Sequence, residues 1–324
     1  MRVYRNIREV EYDRNTAVTV GTFDGVHLGH REIISKLERT AKAKGLRKLV
    51  VTFEPHPQIV LRSKSPDIKV LSTLDEKIGI LGSLNIDSML VIEFTKEFSQ
   101  TGAEDFYKDY LINGTGISDL VLGYDHMFGR NREGNFEMMN LLSGRYGFSV
   151  DRVDEFRSDG EHVSSTRIRH LLEAGDVRNA ARMLGSEYSL SGTVAEGRKL
   201  GRELGMPTAN IVPDSEFKLI PFDGIYAVKV STDGDEYGGV MNIGTNPTVT
   251  DDNSKKLEVN IFNFDGDLYG KKLTVSFVDR LRAEKKFSNL DDLRTAMQAD
   301  KAKAGEILRE KTEMEFNNKI TKAN

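Results

Sequence analysis

The sequence predicts two successive domains, a parallel α/β domain and then a small antiparallel β-barrel followed by a helix. The chain has 324 residues, which exceeds what one compact core usually holds, since domains typically run about 100–200 residues. Short apolar runs alternate with amphipathic helical stretches in the first half, whereas closely spaced β-rich runs separated by turn residues fill the second half. The pattern changes near residue 186, so we expect domains at 1–186 and 187–324.

In the first half, apolar runs that alternate with helices predict a parallel sheet covered on both faces, in a Rossmann-like arrangement. Apolar Ile33, Ile34 and Leu37, for example, recur at helical spacing after the first buried run. We expect strands at 17–21, 49–53, 89–92 and 120–122, and helices at 31–43, 74–84 and 103–111.

In the second half, short strands and tight turns favour a small antiparallel barrel. Asp-Gly pairs at 223–224, 233–234 and 265–266 are typical of hairpin turns. The predicted helices at 165–174 and 176–184 end the first half, and we expect the strands of the second half at 188–191, 225–230, 237–240, 257–261 and 273–278. The chain ends in a predicted helix, with Ser288 as its N-cap and a buried stripe formed by Leu290, Leu293 and Met297.

The composition is typical of a folded protein of the cell interior. Hydrophobic residues make up 38% and charged residues 30% of the chain, which suits a globular protein and not a disordered one. The net charge of −4 provides no global positive field, so we expect no nucleic-acid partner. The absence of cysteine excludes disulfides, thiolate nucleophiles and thiolate metal sites.

Targeting signals are missing from the pattern. The segment Met1–Asn6 lacks the apolar core of a signal peptide, and no run reaches the roughly 20 apolar residues that cross a bilayer. We therefore expect a cytoplasmic protein that does not bind membranes. The sequence leaves open whether copies of the chain form a homo-oligomer.

The segment Gly21–His30 (GTFDGVHLGH) follows a predicted strand and begins a helix. Backbone N–H groups and the helix dipole favour a phosphate at such a place. Gly21 and Gly25 permit a tight turn, and Gly29 has no side chain to keep a nucleotide away from the start of the helix.

Two histidines in this segment are candidate catalytic residues. His27 and His30 share one face of a helical turn and can donate hydrogen bonds to a phosphate whose oxygens gain charge in the transition state. A pair of histidines that only caps a helix is the alternative, which the flanking strand and glycines disfavour. Zinc binding would need a third ligand, for which His56 is the obvious candidate.

Two further segments of the first half have the chemistry of a nucleotide site. Ser164 or Ser165 can cap a predicted helix and, with Arg167, would bind phosphate groups of a nucleotide. An ordinary capped helix with a solvated arginine is the alternative. Asp125 ends a strand of an open sheet, where ligands bind, and can accept hydrogen bonds from ribose hydroxyls. His56 lies between two prolines, which equally suits a residue that holds a turn.

In the second half, the segment 192–210 is rich in glycine and carries basic side chains, so it can fold backbone donors around phosphates. It lacks the Gly-Lys-Ser/Thr spacing of a Walker loop. Thr208 and Asn210 share a face on a strand, and their hydroxyl and amide oxygens suit Mg²⁺, with ATP and water as the remaining ligands. Composition alone favours a mobile basic loop.

Taken together, these motifs resemble the family of bacterial bifunctional riboflavin kinase/FMN adenylyltransferases, or FAD synthetases. The resemblance runs from about residue 15 to about residue 295, with the motifs in the order of the family. In the first half it is carried by 21–30, 52–57, 123–130 with Gly134, and 164–169. In the second half it is carried by 197–210, 224–227, 242–248 and 258–287.

The resemblance implies two reactions that use ATP and Mg²⁺. The C-terminal kinase domain would convert riboflavin and ATP to FMN and ADP, and the N-terminal nucleotidyltransferase domain would convert FMN and ATP to FAD and pyrophosphate. The implied catalytic residues are His27, His30 and Glu258, and the implied Mg²⁺ ligands are Thr208 and Asn210. The implied nucleotide-binding residues are Gly21, Phe23, Asp24, Gly29, Asp125, Arg130, Ser164, Ser165, Thr166, Arg167, Gly197, Gly201, Arg202 and Pro207. The implied flavin-binding residues are His56, Arg282 and Phe287.

Glu258 has a chemical reason for its role, because a carboxylate can accept the proton of the riboflavin 5′-hydroxyl as that hydroxyl attacks the γ-phosphate. A strand glutamate that faces water is the alternative, and Arg282 and Phe287 are equally suited to structural roles. The chain departs from the family at two positions, with His126 in place of an apolar aromatic residue and Asn260 in place of a histidine.

Two other functions fit part of the pattern. One is adenylyl transfer to another small phosphate, with a barrel that only binds flavin. The other is flavin sensing without catalysis, which the retained histidine pair, hydroxyl–amide pair and glutamate disfavour.

Overall fold

The computed structural model describes residues 1–61, 68–129, 134–196, 205–245 and 255–323. The chain divides into two compact units, Met1–Ser165 and Thr166–Asn324. In the described part of the chain, no helix is both long enough and apolar enough to cross a membrane.

The first unit is built on a parallel sheet of six strands, which confirms the predicted α/β fold. Its strands are β1 (Arg2–Tyr4), β2 (Thr16–Val20), β3 (Arg47–Glu54), β4 (Ser88–Glu93), β5 (Ile117–Leu122) and β6 (Ser149–Arg152). Its helices are α1 (Leu28–Lys44), α2 (Pro57–Leu61), α3 (Leu74–Gly82), α4 (Ala103–Phe106), a π-helix (Tyr107–Thr115) and α5 (Phe136–Tyr146). A short hairpin of β7 (Arg157–Ser158) and β8 (Glu161–His162) follows the sheet.

Two apolar clusters cover the two faces of this sheet, as the near-continuous hydrophobic strands predict. Val18 and Val20 of β2 belong to one cluster, whereas Ala17, one residue away, belongs to the other. The strand order is β1-β4-β3-β2-β5-β6, so the order reverses between β2 and β5. In open parallel sheets, ligands bind where such a reversal brings the loops at the carboxyl ends of two strands together.

One helix of the first unit differs from its prediction. The predicted helix at 103–111 is α-helical only to Phe106 and continues to Thr115 as a π-helix. The end of this helix packs closely against Ile7, since a Cβ on Gly114 would lie 2.6 Å from Cγ1 of Ile7. Helical periodicity in the sequence gives no sign of such a contact. The helix stops at Gly116, which has a φ of 78°.

The second unit is a closed six-stranded antiparallel barrel with helices before and after it, which confirms the predicted barrel and C-terminal helix. Its elements are α6 (Ser165–Glu173, whose first residue belongs to the first unit), α7 (Val177–Leu184), β9 (Tyr188–Ala195), β10 (Ala209–Pro213), β11 (Gly224–Thr232), β12 (Asp235–Thr245), β13 (Lys255–Ile261), β14 (Lys272–Arg282) and α8 (Leu290–Ala323). The strand order around the barrel is β10-β13-β12-β11-β14-β9. Its interior is apolar, with fully buried side chains that include Val228, Val230, Met241, Ile243, Val259, Val275 and Phe277.

Helices α6 and α7 group with the barrel by their contacts, so this compact unit begins before residue 187. Helix α7 packs against β9 and β14, and its residues Ala180, Met183 and Leu184 are buried. Arg178 of α7 forms an ion pair with Asp279 of β14 at 2.8 Å.

Two of the three predicted Asp-Gly hairpin turns are wrong. Asp233 and Gly234 form the tight turn between β11 and β12, with φ of 51° and 92°. Gly224 is instead the first residue of β11, and the pair at 265–266 lies in a longer connection between β13 and β14. Dipeptide chemistry favours a turn, but the pairing of the flanking strands decides whether one forms.

The start of α8 also differs from its prediction. Its N-cap is Asn289, whose Oδ1 accepts from the N–H of Asp292 at 2.8 Å, and not Ser288. Leu290 is 57% exposed, while Ala304 and Leu308 are buried apolar residues further along the helix. The prediction that Leu290, Leu293 and Met297 pack into the core is therefore wrong. These residues line a cavity that is described below.

Candidate active sites

The loop between β2 and α1 has a strained backbone conformation that its neighbours hold in place. Phe23 and Val26 have φ of 47° and 40°, in a left-handed region that costs side-chain-bearing residues about 1–3 kcal/mol each. The buried carboxylate of Asp24 accepts from the N–H groups of Leu71 and Ser72, at 2.9 and 3.1 Å. These bonds fix the loop at the carboxyl end of β2.

His27 and His30 lie together at the first turn of α1. Nδ1 of His27 accepts from the N–H of His30 at 3.3 Å, so His27 is the N-cap of the helix. The two rings stack, with centroids 3.6 Å apart and 15° between their planes. Burial lowers the pKa of His30 well below its usual value, and the neighbouring His27 and the Lys77 ammonium lower it further. His30 is therefore neutral at physiological pH.

The segment before α6 lies against the same loop. The Ser165 hydroxyl donates to the carbonyl of Asp24 at 3.0 Å. A Cβ on Gly29 would lie 3.2 Å from Nδ1 of His27 and 3.7 Å from the carbonyl oxygen of Val163, so the glycine leaves open the space between the two segments. Six of the predicted nucleotide-binding residues thus belong to one cluster or lie next to it in the chain, namely Gly21, Phe23, Asp24, Gly29, Ser164 and Ser165. Two others, Thr166 and Arg167, are exposed in the first turn of α6.

A buried charged group lies beside the histidines, and the sequence analysis missed it. Lys77 of α3 is 3% exposed, and its Nζ donates to Oγ1 of Thr52 at 3.4 Å. Burial lowers the pKa of Lys77, while the carboxylates of Asp24 and Glu54 oppose this. A lysine in an amphipathic helix is ordinarily a surface residue, so the sequence held no signal for this charge.

The loop after β5 meets β2 through His126, one of the two departures from the family. The Tyr107 hydroxyl lies 2.7 Å from Nε2 of His126. Burial lowers the pKa of His126 to about 4, although a backbone hydrogen bond to Val20 opposes the shift. The neutral imidazole of His126 thus has polar partners inside the unit. Asp125, next to it, is exposed.

We expect His126 to make the protein sensitive to acid. Its pKa is about 6.5 in an unfolded chain and about 4 in the folded protein, so the unfolded state takes up the proton first. Stability should therefore fall as the pH drops from 6.5 to 4, by up to about 3 kcal/mol, and the loss should level off below pH 4. Urea unfolding of the wild type and of His126→Phe across this range isolates the effect, because all other titrating groups are shared. A difference between the two proteins that does not vary with pH would contradict this assignment.

The other predicted residues of the first half are placed as follows. His56 is buried, and its Nδ1 accepts from the N–H of Gln58 at 3.2 Å, so it holds the turn into α2. Among the described residues, no group of three or more His, Asp or Glu side chains is arranged to hold a metal ion. Arg130 lies outside the described residues, as do Gly197, Gly201 and Arg202 of the second half.

The barrel unit contains a cavity of about 800 Å³. It lies over the outer face of β12 and β13 and beneath the segment 283–289 and the first turns of α8. Four predicted site residues line it, namely Thr208, Glu258, Arg282 and Phe287. Its other lining residues include Met206, Asn242, Lys256, Asn260, Glu284, Leu290, Leu293, Met297 and Asp300.

Glu258 lies in the middle of a polar row across three strands. It pairs with Asn210 of β10 on one side and with Asn242 of β12 on the other. Residues directly opposite each other in an antiparallel sheet project from the same face, so all three side chains share the cavity side of the barrel wall. The Lys256 ammonium forms an ion pair with the Glu258 carboxylate.

Arg282 is held in a fixed orientation at the edge of the cavity. Its Nε and Nη2 donate to the two carboxylate oxygens of Asp300 on α8, at 2.9 and 2.7 Å. Its guanidinium carbon lies 5.9 Å from the centre of the Phe287 ring. Asp300 is 8% exposed, and the sequence analysis missed it because an aspartate in a helix shows no sign of its tertiary partner.

Comparison with known proteins matches the two parts of the chain to two different families. The first part of the chain matches the family model described as FAD synthetase over residues 9–167, and the second part matches the riboflavin kinase model over residues 184–308. The chain is 36% identical to a bifunctional riboflavin kinase/FMN adenylyltransferase of Pseudomonas fluorescens, over 94% of this chain and 97% of that protein. It is 35% identical to the protein of the same description from Listeria monocytogenes, over 89% and 91% of the two chains.

A solved structure has the same fold over nearly the whole chain. It is described as a macrolide-efflux protein from Streptococcus pneumoniae, with a TM-score of 0.83, 29% identity, and coverage of 93% of this chain and 97% of that one. The fold, the two family models and the two relatives together define a two-domain enzyme of flavin-cofactor synthesis. The chain belongs to the bifunctional riboflavin kinase/FMN adenylyltransferase family.

Proposed function

We propose that this chain makes FMN and then FAD from riboflavin, with each of its two units using ATP for one of the reactions. The observation that most strongly supports this proposal is that the predicted catalytic side chains assemble at two separate places. One is the stacked histidine pair beside Gly29 and Ser165, and the other is the barrel cavity lined by Glu258. A cysteine-free chain also suits the reducing cytoplasm, where we propose that it works.

In the first unit, a phosphate oxygen of FMN attacks the α-phosphorus of ATP, and the bond between the α-phosphorus and the bridging oxygen breaks to release pyrophosphate. The start of α1 and the fixed loop before it stabilise the added charge through backbone N–H groups and the helix dipole. His27 and His30 donate hydrogen bonds to oxygens of the α-phosphate as these become more negative. Because burial keeps His30 neutral, this donation does not depend on protonation of its ring near neutral pH.

The start of α6 is suited to the leaving group. Ser165 is fixed to the loop by its bond to Asp24, and Arg167 is exposed on the following turn. The N–H groups of this turn and the guanidinium would bind the departing pyrophosphate.

In the second unit, the riboflavin 5′-hydroxyl attacks the γ-phosphorus of ATP, its proton passes to the Glu258 carboxylate, and ADP leaves. The oxygen donors at the cavity fit Mg²⁺, since the Thr208 hydroxyl, the Asn210 amide and the neighbouring carboxylate are all hard ligands. Thr208 and Asn210 would hold this ion, which neutralises phosphate charge when bound. Phe287 and the half-buried Leu293 and Met297 provide apolar surface for the flavin ring.

The bond between Arg282 and Asp300 should matter for flavin binding. Asp300→Asn removes one charge-assisted hydrogen bond and the partner charge, so we expect the free energy of unfolding to fall by about 1–3 kcal/mol. Because Arg282 then loses its fixed place beside Phe287, the KM for riboflavin should rise while FAD formation from added FMN is unchanged. Asp235→Asn, at an exposed position at the start of β12, is the matched control. An unchanged KM in Asp300→Asn would show that Arg282 does not help to shape the flavin site.

The decisive test is to incubate the purified protein with riboflavin, ATP and Mg²⁺ and to identify the products by chromatography. We expect FMN first and FAD later, and FAD alone when FMN is supplied. Flavin binding without FMN formation would favour the two alternatives, adenylyl transfer to another phosphate beside a barrel that only binds flavin, or flavin sensing without catalysis.

A further inference from the structure

Asn260 is a polar residue of the barrel whose role neither the family motifs nor the mechanism above explains. It is 6% exposed and lines the cavity, on the same face of β13 as Glu258, two residues away. A buried amide needs hydrogen-bond partners, so its contacts indicate what it does.

The side-chain amide of Asn260 donates from Nδ2 to the carbonyl oxygen of Pro207 at 2.7 Å. The orientation of the amide follows from chemistry, because a carbonyl only accepts and Nδ2 is the only donor that the side chain has. Pro207 immediately precedes Thr208, so this hydrogen bond fixes the chain one residue before the proposed ligand of Mg²⁺.

The strand pairing explains why a side chain is needed at this point. β10 pairs with β13 through Ala209 opposite Val259 and Asn210 opposite Glu258, and β10 begins at Ala209. The next position along β13 is Asn260, which lies where the backbone ladder has ended. Pro207 also has no N–H to continue such a ladder. The amide of Asn260 thus extends the connection between the strands by a side-chain bond.

The other end of the amide has no hydrogen-bond partner in the part of the chain that the structure describes. Oδ1 of Asn260 is buried and has no hydrogen-bond partner among the described residues. Oδ1 of Asn242, on the neighbouring strand β12, is also buried without a hydrogen-bond partner among the described residues. Asn242 lines the same cavity. A buried acceptor without a partner destabilises the ligand-free site, and a donor from a bound ligand or its water can satisfy it.

We propose that Asn260 is a positioning residue for phosphoryl transfer, which holds Thr208 in place through the carbonyl of Pro207 and accepts a hydrogen bond from the bound substrates through Oδ1. The inference rests on the proposed kinase function of this cavity.

The test compares Asn260→Asp, which has the same shape but no donor, with Asn260→His, which restores one. In the ligand-free protein, hydrogen exchange of the 206–211 backbone should be about tenfold faster in Asn260→Asp than in the wild type, as expected for one lost hydrogen bond. The KM for ATP at saturating Mg²⁺ should rise about tenfold in FMN formation, with a smaller change in kcat. Asn260→His should lie close to the wild type in both measurements. Asn317→Asp, at an exposed position on α8, controls for the added charge.

The outcomes separate this inference from the function on which it rests. Unchanged exchange and unchanged KM in Asn260→Asp overturn the inference, and so does an Asn260→His variant as impaired as Asn260→Asp. If Asn260→Asp does not fold, Asn260→Leu, which has a similar size but neither donor nor acceptor, takes its place in the same comparison with Asn260→His. A wild-type protein that makes no FMN refutes the proposed function, and the exchange of the ligand-free protein still reports the contact with Pro207.

Discussion

Replacing His30 with alanine should abolish FAD formation and leave FMN formation at the rate of the wild type. One hydrogen-bond donor to a transition-state oxyanion contributes about 10²–10³-fold in rate. His30 stacks on the second donor, His27, so the variant also loosens the ring that remains. The measurement is the rate of FAD formation from FMN and ATP, next to the rate of FMN formation from riboflavin and ATP in the same preparation.

The choice of His30 over His27 matters for this test. His27 caps α1 through Nδ1, and loss of an N-cap costs about 1 kcal/mol, so His27→Ala mixes stability with catalysis. His170→Ala is the matched control, since this histidine is exposed in the last turn of α6. An equal loss of both activities in His30→Ala would refute the division of labour between the two units.

Glu258→Gln should have the opposite effect, with FMN formation reduced about 10²–10⁴-fold and FAD formation from added FMN intact. The amide keeps the size of the side chain but cannot accept a proton from the riboflavin hydroxyl. Glu310→Gln, at an exposed position on α8, makes the same chemical change away from the cavity lining. FMN formation that survives in Glu258→Gln would mean that another group serves as the base.

A mixture of the two variants offers a further check on both predictions. Each alone should fail to convert riboflavin to FAD, because one lacks the second reaction and the other lacks the first. Together they should form FAD, since FMN released by His30→Ala is a substrate for the first unit of Glu258→Gln. A mixture that makes FMN but no FAD would contradict the separation of the two sites.

The parts of this molecule that could be predicted from sequence are those whose determinants are local. The turn at Gly21–His30 contains its own strand end, glycines and helix start, so the sequence alone placed both histidines at a helix N-terminus. The barrel followed from strand spacing and turn residues, and its residues Thr208, Glu258, Arg282 and Phe287 do line one cavity.

The parts that could not be predicted depend on partners distant in the chain. Lys77 and Asp300 have the pattern of ordinary helix residues, and only tertiary packing buries them beside Asp24 and Arg282. The apolar residues at the start of α8 have the spacing of a core stripe, but they face a cavity, and helical periodicity does not distinguish these two environments. The contact of Asn260 with Pro207 likewise requires knowledge of where β10 begins.

The packing of α7 on the barrel has a consequence for anyone who wishes to express the kinase half by itself. A fragment cut at Tyr188, where the strands start, would lose the apolar side chains of Met183 and Leu184 together with the ion pair of Arg178. The surface of β9 and β14 that α7 covers would then face water, and exposed apolar patches of this kind promote self-association. A fragment that starts at residue 166 keeps this cover, and we expect it to stay monodisperse where the shorter one aggregates.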